Sequence, residues 1–287
     1  MTGRSLLKFS VQTALVSAAF GFLLVGQQSK APAPPSLRLY VFDCGTLHPD
    51  NADGYSLKKE EVAEFKMSVP CFLVAHPRGT LFWDAGIIPD GSFKGGGTVT
   101  QGKSTSSTPL LPQMAVAGYT PSGVTYLAMS HYHGDHSANA NFFAGSTWLV
   151  RPADRDVMFA EPTPAGVNIA NFNALKNSKT TILAEDEYDV FKDGTVVIKS
   201  APGHTPGHQV LFLKLAKTGP IVLSGDLYHY PEERTLSRMP PRELAGGQTA
   251  ASRAEVEAFL KKTGAQLWIE HDFKAHSKLK KSPQFYE

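Results

Sequence analysis

His131-Tyr132-His133-Gly134-Asp135-His136 places three histidines and an aspartate side by side. The apolar run from Val124 to Met129 leads directly into this stretch. A compact apolar run reads as a strand, so the cluster emerges at a strand end, where a rigid scaffold presents side chains to a site. In extended backbone, residues two apart point the same way, so His131 and His133 can reach one metal ion. Gly134 lets the chain turn sharply, and Asp135 and His136 can then face a second ion. Imidazole and carboxylate are ordinary zinc ligands, and ionisable side chains gathered at a strand end have few purely structural explanations.

Three other segments share this format of a β-like run followed by a ligand-capable residue. They are Ala201-Pro202-Gly203-His204-Thr205-Pro206-Gly207-His208, Leu223-Ser224-Gly225-Asp226 and Leu267-Trp268-Ile269-Glu270-His271. Each alone is more often structural. Together with the first cluster they complete two metal sites.

Alternation and β-branched or aromatic content predict strands at Leu37 to Phe42, Val69 to Ala75 and Thr80 to Trp83, the last two joined by a His76–Gly79 turn. Further strands are expected at Trp148 to Val150, Tyr188 to Phe191, Thr195 to Lys199, Gln209 to Leu215, Ile221 to Leu223 and Gln266 to Ile269. Residues 91–108, rich in Gly, Ser and Thr, read as a mobile loop, and 109–118 as a short helix. A second helix is expected over 252–262, with Val256, Phe259 and Leu260 on one side and Ser252 and Glu255 as a capping box. Many strands mixed with few helices indicate an α/β or α+β domain.

The 287 residues suffice for one large domain or two small ones. Residues 1–31 stand apart. Arg4 and Lys8 precede an apolar stretch from Val11 to Val25, then Gln27-Gln28-Ser29-Lys30, the layout of a secretory signal; an uncleaved membrane anchor is the alternative. The expected location is therefore periplasmic or secreted, or membrane-attached through that leader alone. The proline-rich run to Pro35 reads as a spacer, and residues 36–287 as the folded domain. The leader holds three bases and no acids, so its removal turns 28 bases against 26 acids into 25 against 26. The basic balance belongs to the leader, which argues against nucleic-acid binding. Cys44 and Cys71 lack a zinc-thiolate spacing. Two buried free thiols are the simplest reading, and export leaves a disulfide open.

The motifs resemble those of the metallo-β-lactamase superfamily: HxHxDH at 131–136, GHTPGH at 203–208, a later aspartate and a last histidine, with Asp84-Ala85-Gly86 similar to an early D-x-G turn. The resemblance runs from about Leu37 to His271. It implies a four-layer αββα sandwich with two metal ions at one edge. It also implies His131, His133 and His204 on one ion, Asp135, His136 and His271 on the other, Asp226 bridging, and a supporting role for His208. The diiron redox members resemble HxExDH instead; His133 in place of that carboxylate favours two zinc ions. The implied chemistry is hydrolysis by hydroxide that the ions make available, with Asp135 helping to move the proton.

Within the superfamily, the layout most resembles the N-acyl-homoserine lactone lactonases. Val69 to Val74 leading to Phe82-Trp83-Asp84-Ala85-Gly86, Gly118-Tyr119-Thr120-Pro121 ahead of the metal motif, and the bridging Asp226 carry that resemblance. It implies a small-molecule substrate. A homodimer is compatible with the sequence. Those lactonases often carry a tyrosine three residues after the bridging aspartate; here that position is His229, expected to orient the substrate or protonate the leaving alkoxide. Tyr228, Phe142 and Leu111 are expected substrate contacts, the last two in an apolar wall with Ile87, Ile88, Phe93, Leu110, Met114, Phe143 and Met158; ordinary core is the alternative. Rival substrates are β-lactams, thioesters, aryl esters and phosphotriesters, and a non-catalytic binding module is the remote alternative.

Overall fold

The computed structural model describes residues 1–2, 33–241 and 243–287. Residues 3–31 of the expected leader fall outside the described residues. Among the described residues, no helix is long and apolar enough to cross a membrane.

The first sheet contains β1 (Arg38–Leu47), β2 (Met67–His76), β3 (Gly79–Trp83), β4 (Val99–Gln101), β5 (Ser104–Ser106), β6 (Tyr126–Ala128), β7 (Thr147–Val150) and β8 (Thr180–Ile182). The second contains β9 (Glu187–Asp189), β10 (Val196–Ser200), β11 (Gln209–Leu215), β12 (Gly219–Leu223) and β13 (Gln266–Trp268). A last short strand, β14 (Phe285–Tyr286), returns to pair with β1. The first sheet runs β4-β5-β1-β2-β3-β6-β7-β8 and the second β13-β12-β11-β10-β9. The helices are α1 (Leu110–Val116), α2 (Gly134–Ser137), α3 (Pro152–Met158), α4 (Pro231–Thr235), α5 (Gly246–Thr263) and α6 (Phe273–Lys278).

Side-chain alternation produces the layers. Along β1, Tyr40 and Phe42 face outward into a cluster with Leu110 and Met114 of α1 and Met158 of α3. Leu39 and Val41 face the other way, against Ile198, Leu211, Leu213 and Leu223 of the second sheet. On the second sheet's far side, Val210, Phe212 and Val222 pack on Val256 and Leu260 of α5. Helix, sheet, sheet, helix is the expected αββα order.

Two local expectations need correction, and one open alternative is decided. Residues 91–108 contain the β4–β5 hairpin, whose two-residue turn has Gly102 at φ 58°; the Gly/Ser/Thr composition hid the turn signal. Helix α5 starts at Gly246, not at Ser252, and Ser252 is a buried side chain donating to the Pro202 carbonyl at 2.7 Å. Of the two readings left open for Cys44 and Cys71, the disulfide is the one found, with Cα atoms 5.9 Å apart on the paired strands β1 and β2.

Candidate metal centre

Every ligand-capable residue singled out by the sequence lies just past a strand end, and the two sheets bring those ends together. β6 lies parallel between β3 and β7, so the turn after β3 and the histidine stretch after β6 emerge on the same edge. Asp84 occupies the left-handed region at φ 56°. Its Oδ1 accepts from the Ser130 amide at 2.7 Å, and its Oδ2 lies 3.0 Å from Nδ1 of His136. The Ala85 amide donates to the His136 carbonyl at 2.7 Å, which locks the turn onto the motif. From the second sheet, Gly203 precedes His204 and Gly225 precedes Asp226. A Cβ on Gly225 would stand 2.6 Å from that of Ser130, at φ 48°, so only glycine lets this backbone approach.

The result is two adjoining nests. Ligand atoms of His131, His133, His204 and Asp226 lie within 4.8 Å of one another, as do those of Asp135, His136, Asp226 and His271. Asp226 belongs to both, and its two oxygens divide the work. Oδ1 lies 3.0 Å from Nε2 of His136 and 3.0 Å from Nε2 of His271. Oδ2 lies 3.2 Å from Nε2 of His204 and 3.7 Å from Nε2 of His131. His131 Nε2, His136 Nε2 and Asp226 Oδ1 are buried without a hydrogen-bond partner. Such orphans are costly unless a cation accepts their lone pairs, and this donor set of imidazoles with hard oxygens fits divalent ions.

Electrostatics divide the candidate ligands, with His131 and His133 lowered and His136 and His204 raised. Burial, then the neighbouring His136, holds His131 well below the usual imidazole range. Burial and His204 lower His133 to about 4. Both are therefore neutral, the form that binds a cation. His136 goes the other way: burial opposes its charge, but Asp226, Asp84 and Asp135 outweigh burial and push it well above.

Outer ring nitrogens of several of these histidines are held by groups that fix the imidazole, as at metal-binding histidines. His271 Nδ1 lies 2.8 Å from the Ser68 carbonyl and His204 Nδ1 lies 3.4 Å from Glu243 Oε1. His208 has the supporting place expected of it: Nδ1 donates to the Ala201 carbonyl at 2.9 Å and Nε2 accepts the Asp226 amide at 3.0 Å. Glu270, beside His271, is fully buried, accepts from Trp83 Nε1 and the Gly225 amide, and burial with nearby Asp84 pushes its carboxyl well above the usual range. Glu243 and Glu270 were not among the sequence-predicted site residues. Glu270 stood in a quoted motif, whereas nothing local marks Glu243.

A cavity of about 480 Å³ opens over the nests, its polar wall including Asp135, Asp226, His229, His271 and Tyr55, and its apolar part Leu47, Met67 and Leu244. His229 Nε2 lies 3.3 Å from Asp226 Oδ2, and Glu233 accepts the His229 amide at 3.1 Å. Arg253 donates to the same Glu233 carboxylate at 2.8 Å. Burial disfavours a charge on His229, but Asp226 and Glu233 push its pKa up to about 10.

The expected substrate contacts Tyr228, Phe142 and Leu111 do not line this cavity. Tyr228 has extended backbone, so it points away from its neighbour His229, and its hydroxyl donates to Glu257 at 3.2 Å. Phe142 is 44% exposed and Leu111 packs against the core beneath α1. Ile88, Leu110, Met114, Phe143 and Met158 are buried core rather than a substrate wall.

A sandwich of this layering, gathering imidazoles and carboxylates at one sheet edge, is the build of a metal-dependent hydrolase. Residues 65–266 match the metallo-beta-lactamase superfamily, and the chain belongs to it. The chain is 26% identical over 261 residues to an N-acyl homoserine lactonase, AttM, of Azorhizobium caulinodans, with 88% of this chain and 99% of that protein covered. It is 24% identical to an N-acyl homoserine lactonase of a Bacillus species, with 76% of this chain and 87% of that protein covered. Among solved structures, an N-acyl homoserine lactone hydrolase with the product N-hexanoyl-L-homoserine at its catalytic metal centre superposes with a TM-score of 0.72 at 20% identity, covering 86% of this chain and 98% of that one. AidC, a dizinc quorum-quenching lactonase, gives 0.62 at 19% identity, covering 88% and 94%.

Proposed function

We propose that this enzyme holds two zinc ions and opens the lactone ring of N-acyl homoserine lactones. The observation that carries the two-ion part is Asp226, whose separate oxygens face separate histidine sets at 3.0–3.7 Å. The near full-length similarity to proteins named as lactonases supports the substrate.

His131, His133 and His204 would hold one ion, Asp135, His136 and His271 the other, and Asp226 both. Bound divalent ions supply Lewis acidity and bring the pKa of water toward neutrality. The protein's own residues do the rest. Asp135, less buried than its neighbours, stands 3.5 Å from His271 and 3.7 Å from His136 at the cavity floor, placed to take up a proton from the attacking water. The His229 ring has Nδ1 3.5 Å from Glu233 and Nε2 3.3 Å from Asp226 at the cavity wall, placed to protonate the leaving alkoxide as the ring opens. Leu47, Met67 and Leu244 give an acyl chain an apolar surface on the way in.

The test is a panel of N-acyl homoserine lactones of several chain lengths, simple lactones, β-lactams, thioesters, aryl esters and phosphotriesters with the zinc-loaded protein. N-acyl homoserine lactones are expected to show the highest kcat/KM. Turnover of another class with none on lactones would remove the substrate assignment. His229→Ala is expected to lower kcat on the best lactone by about a hundredfold, the usual contribution of a positioned acid, with zinc content unchanged. Full turnover by that variant would remove the role given to His229.

A further inference from the structure

The connection between β1 and β2 carries a short 3-10 turn, Asp53–Tyr55, and Tyr55 at its end reaches the cavity wall. No sequence motif pointed to it. A small core of Ala52, Leu57, Met67 and Tyr230 anchors this connection, and Ser56 Oγ donates to the Met239 carbonyl at 2.8 Å. The Tyr55 ring is held between two aromatic neighbours, with centroids 4.5 Å from His229 and 5.2 Å from Tyr230.

Three tyrosines crowd this corner, and their hydroxyls differ in one respect. Tyr230 donates to the Phe65 carbonyl at 2.8 Å and Tyr228 to Glu257 at 3.2 Å. The Tyr55 hydroxyl has no hydrogen-bond partner among the described residues, nor is it one of the buried orphan atoms. It is a donor left open to the cavity, on a ring that cannot easily turn away. Burial, then the charge of nearby Asp226, pushes this phenol well above its usual range, so it keeps its proton.

The geometry points to Tyr55 as a catalytic residue whose hydroxyl donates a hydrogen bond to the substrate oxygen that gains negative charge as the acyl group is attacked. A fixed neutral donor is suited to that position, because it costs no reorganisation when the charge develops and cannot be neutralised by ion pairing. The assignment rests on the acyl-hydrolase reading above and does not need the acyl substrate to be a lactone. It also gives Tyr55 and His229, in ring contact, separate tasks: one serves the developing oxyanion, the other the leaving group.

The test compares Tyr55→Phe with the wild type, both as full zinc-loaded chains, on whichever acyl substrate the wild type turns over fastest. Removal of one such donor is expected to lower kcat about a hundredfold, with KM within about threefold, the same zinc content and the same thermal midpoint. A second measurement titrates both proteins with a methylphosphonate monoester, a tetrahedral anion; the variant is expected to bind it at least tenfold more weakly. A kcat within threefold of wild type, an effect on KM alone, or a loss that tracks zinc content or melting would overturn the assignment. If the wild type hydrolyses no acyl compound, the acyl-hydrolase reading fails by itself, and the phosphonate titration decides the Tyr55 contact: weaker binding by the variant supports it and equal binding ends it.

Discussion

Replacing Asp226 by asparagine is expected to lower kcat/KM about a thousandfold and to reduce bound zinc from two ions per chain to one or none. The change is nearly isosteric, so packing is preserved and the loss is electrostatic. Asp226 is buried, and four imidazole Nε2 atoms stand within 3.3 Å of its two oxygens, two around each. An amide offers one acceptor and turns a donor toward whatever lies on its other side. One nest therefore keeps a weak oxygen ligand and the other faces an N–H group that repels a cation. A thousandfold loss corresponds to about 4 kcal/mol of transition-state stabilisation, the scale on which metal ions act in such reactions. Metal analysis of the purified variant beside its kinetics checks this. Two tightly bound ions with an unchanged rate would remove Asp226 from the centre.

Stripping zinc by chelation is expected to lower the thermal midpoint by on the order of 10 °C. A ligand bound only by the native state at a thousand times its Kd stabilises by about 4 kcal/mol, and a domain of this size shifts by about 2–4 °C per kcal/mol. The nests exist only in the folded chain, because His131, His133, Asp135 and His136 follow a strand of the first sheet, whereas His204, Asp226 and His271 follow strands of the second. Without cations the buried Nε2 atoms of His131 and His136 are left unsatisfied. Calorimetry at several free zinc concentrations should show the midpoint climbing with zinc. A midpoint indifferent to zinc would mean that the ions do not bind preferentially to the native state.

The candidate ligands were legible in the sequence because a metal site uses few residue types, and each one lies just beyond an apolar run that reads as a strand. The supporting groups were not. Glu243 lies in the irregular segment before α5 and reaches His204 only through tertiary folding. Tyr55 sits in a connection whose local sequence has no pattern, and its place over His229 depends on the small core around Tyr230. The start of α5 was misplaced because Ser252 and Glu255 imitate a cap. The true first turn, opening on Gly246 and Gly247, is poor in helix propensity and is tethered instead by the Ala245 amide donating to the Gly203 carbonyl. The disulfide needed the register of β1 against β2, which pairs Phe42 with Cys71 and shifts between Asp43 and Thr46, and no composition encodes such a shift.

The division of candidate ligands between two sheets also sets when a complete site can form. His131 is the first of them along the chain and His271, just past β13, the last. A growing polypeptide presents four of the seven before the second sheet exists, and that partial set lacks the shared carboxylate. The full set comes together only when β13 docks beside β12. On the proposed two-ion reading, a complete site therefore forms only after both sheets have assembled, so metal loading would report on the closing of the whole sandwich rather than on either half of it.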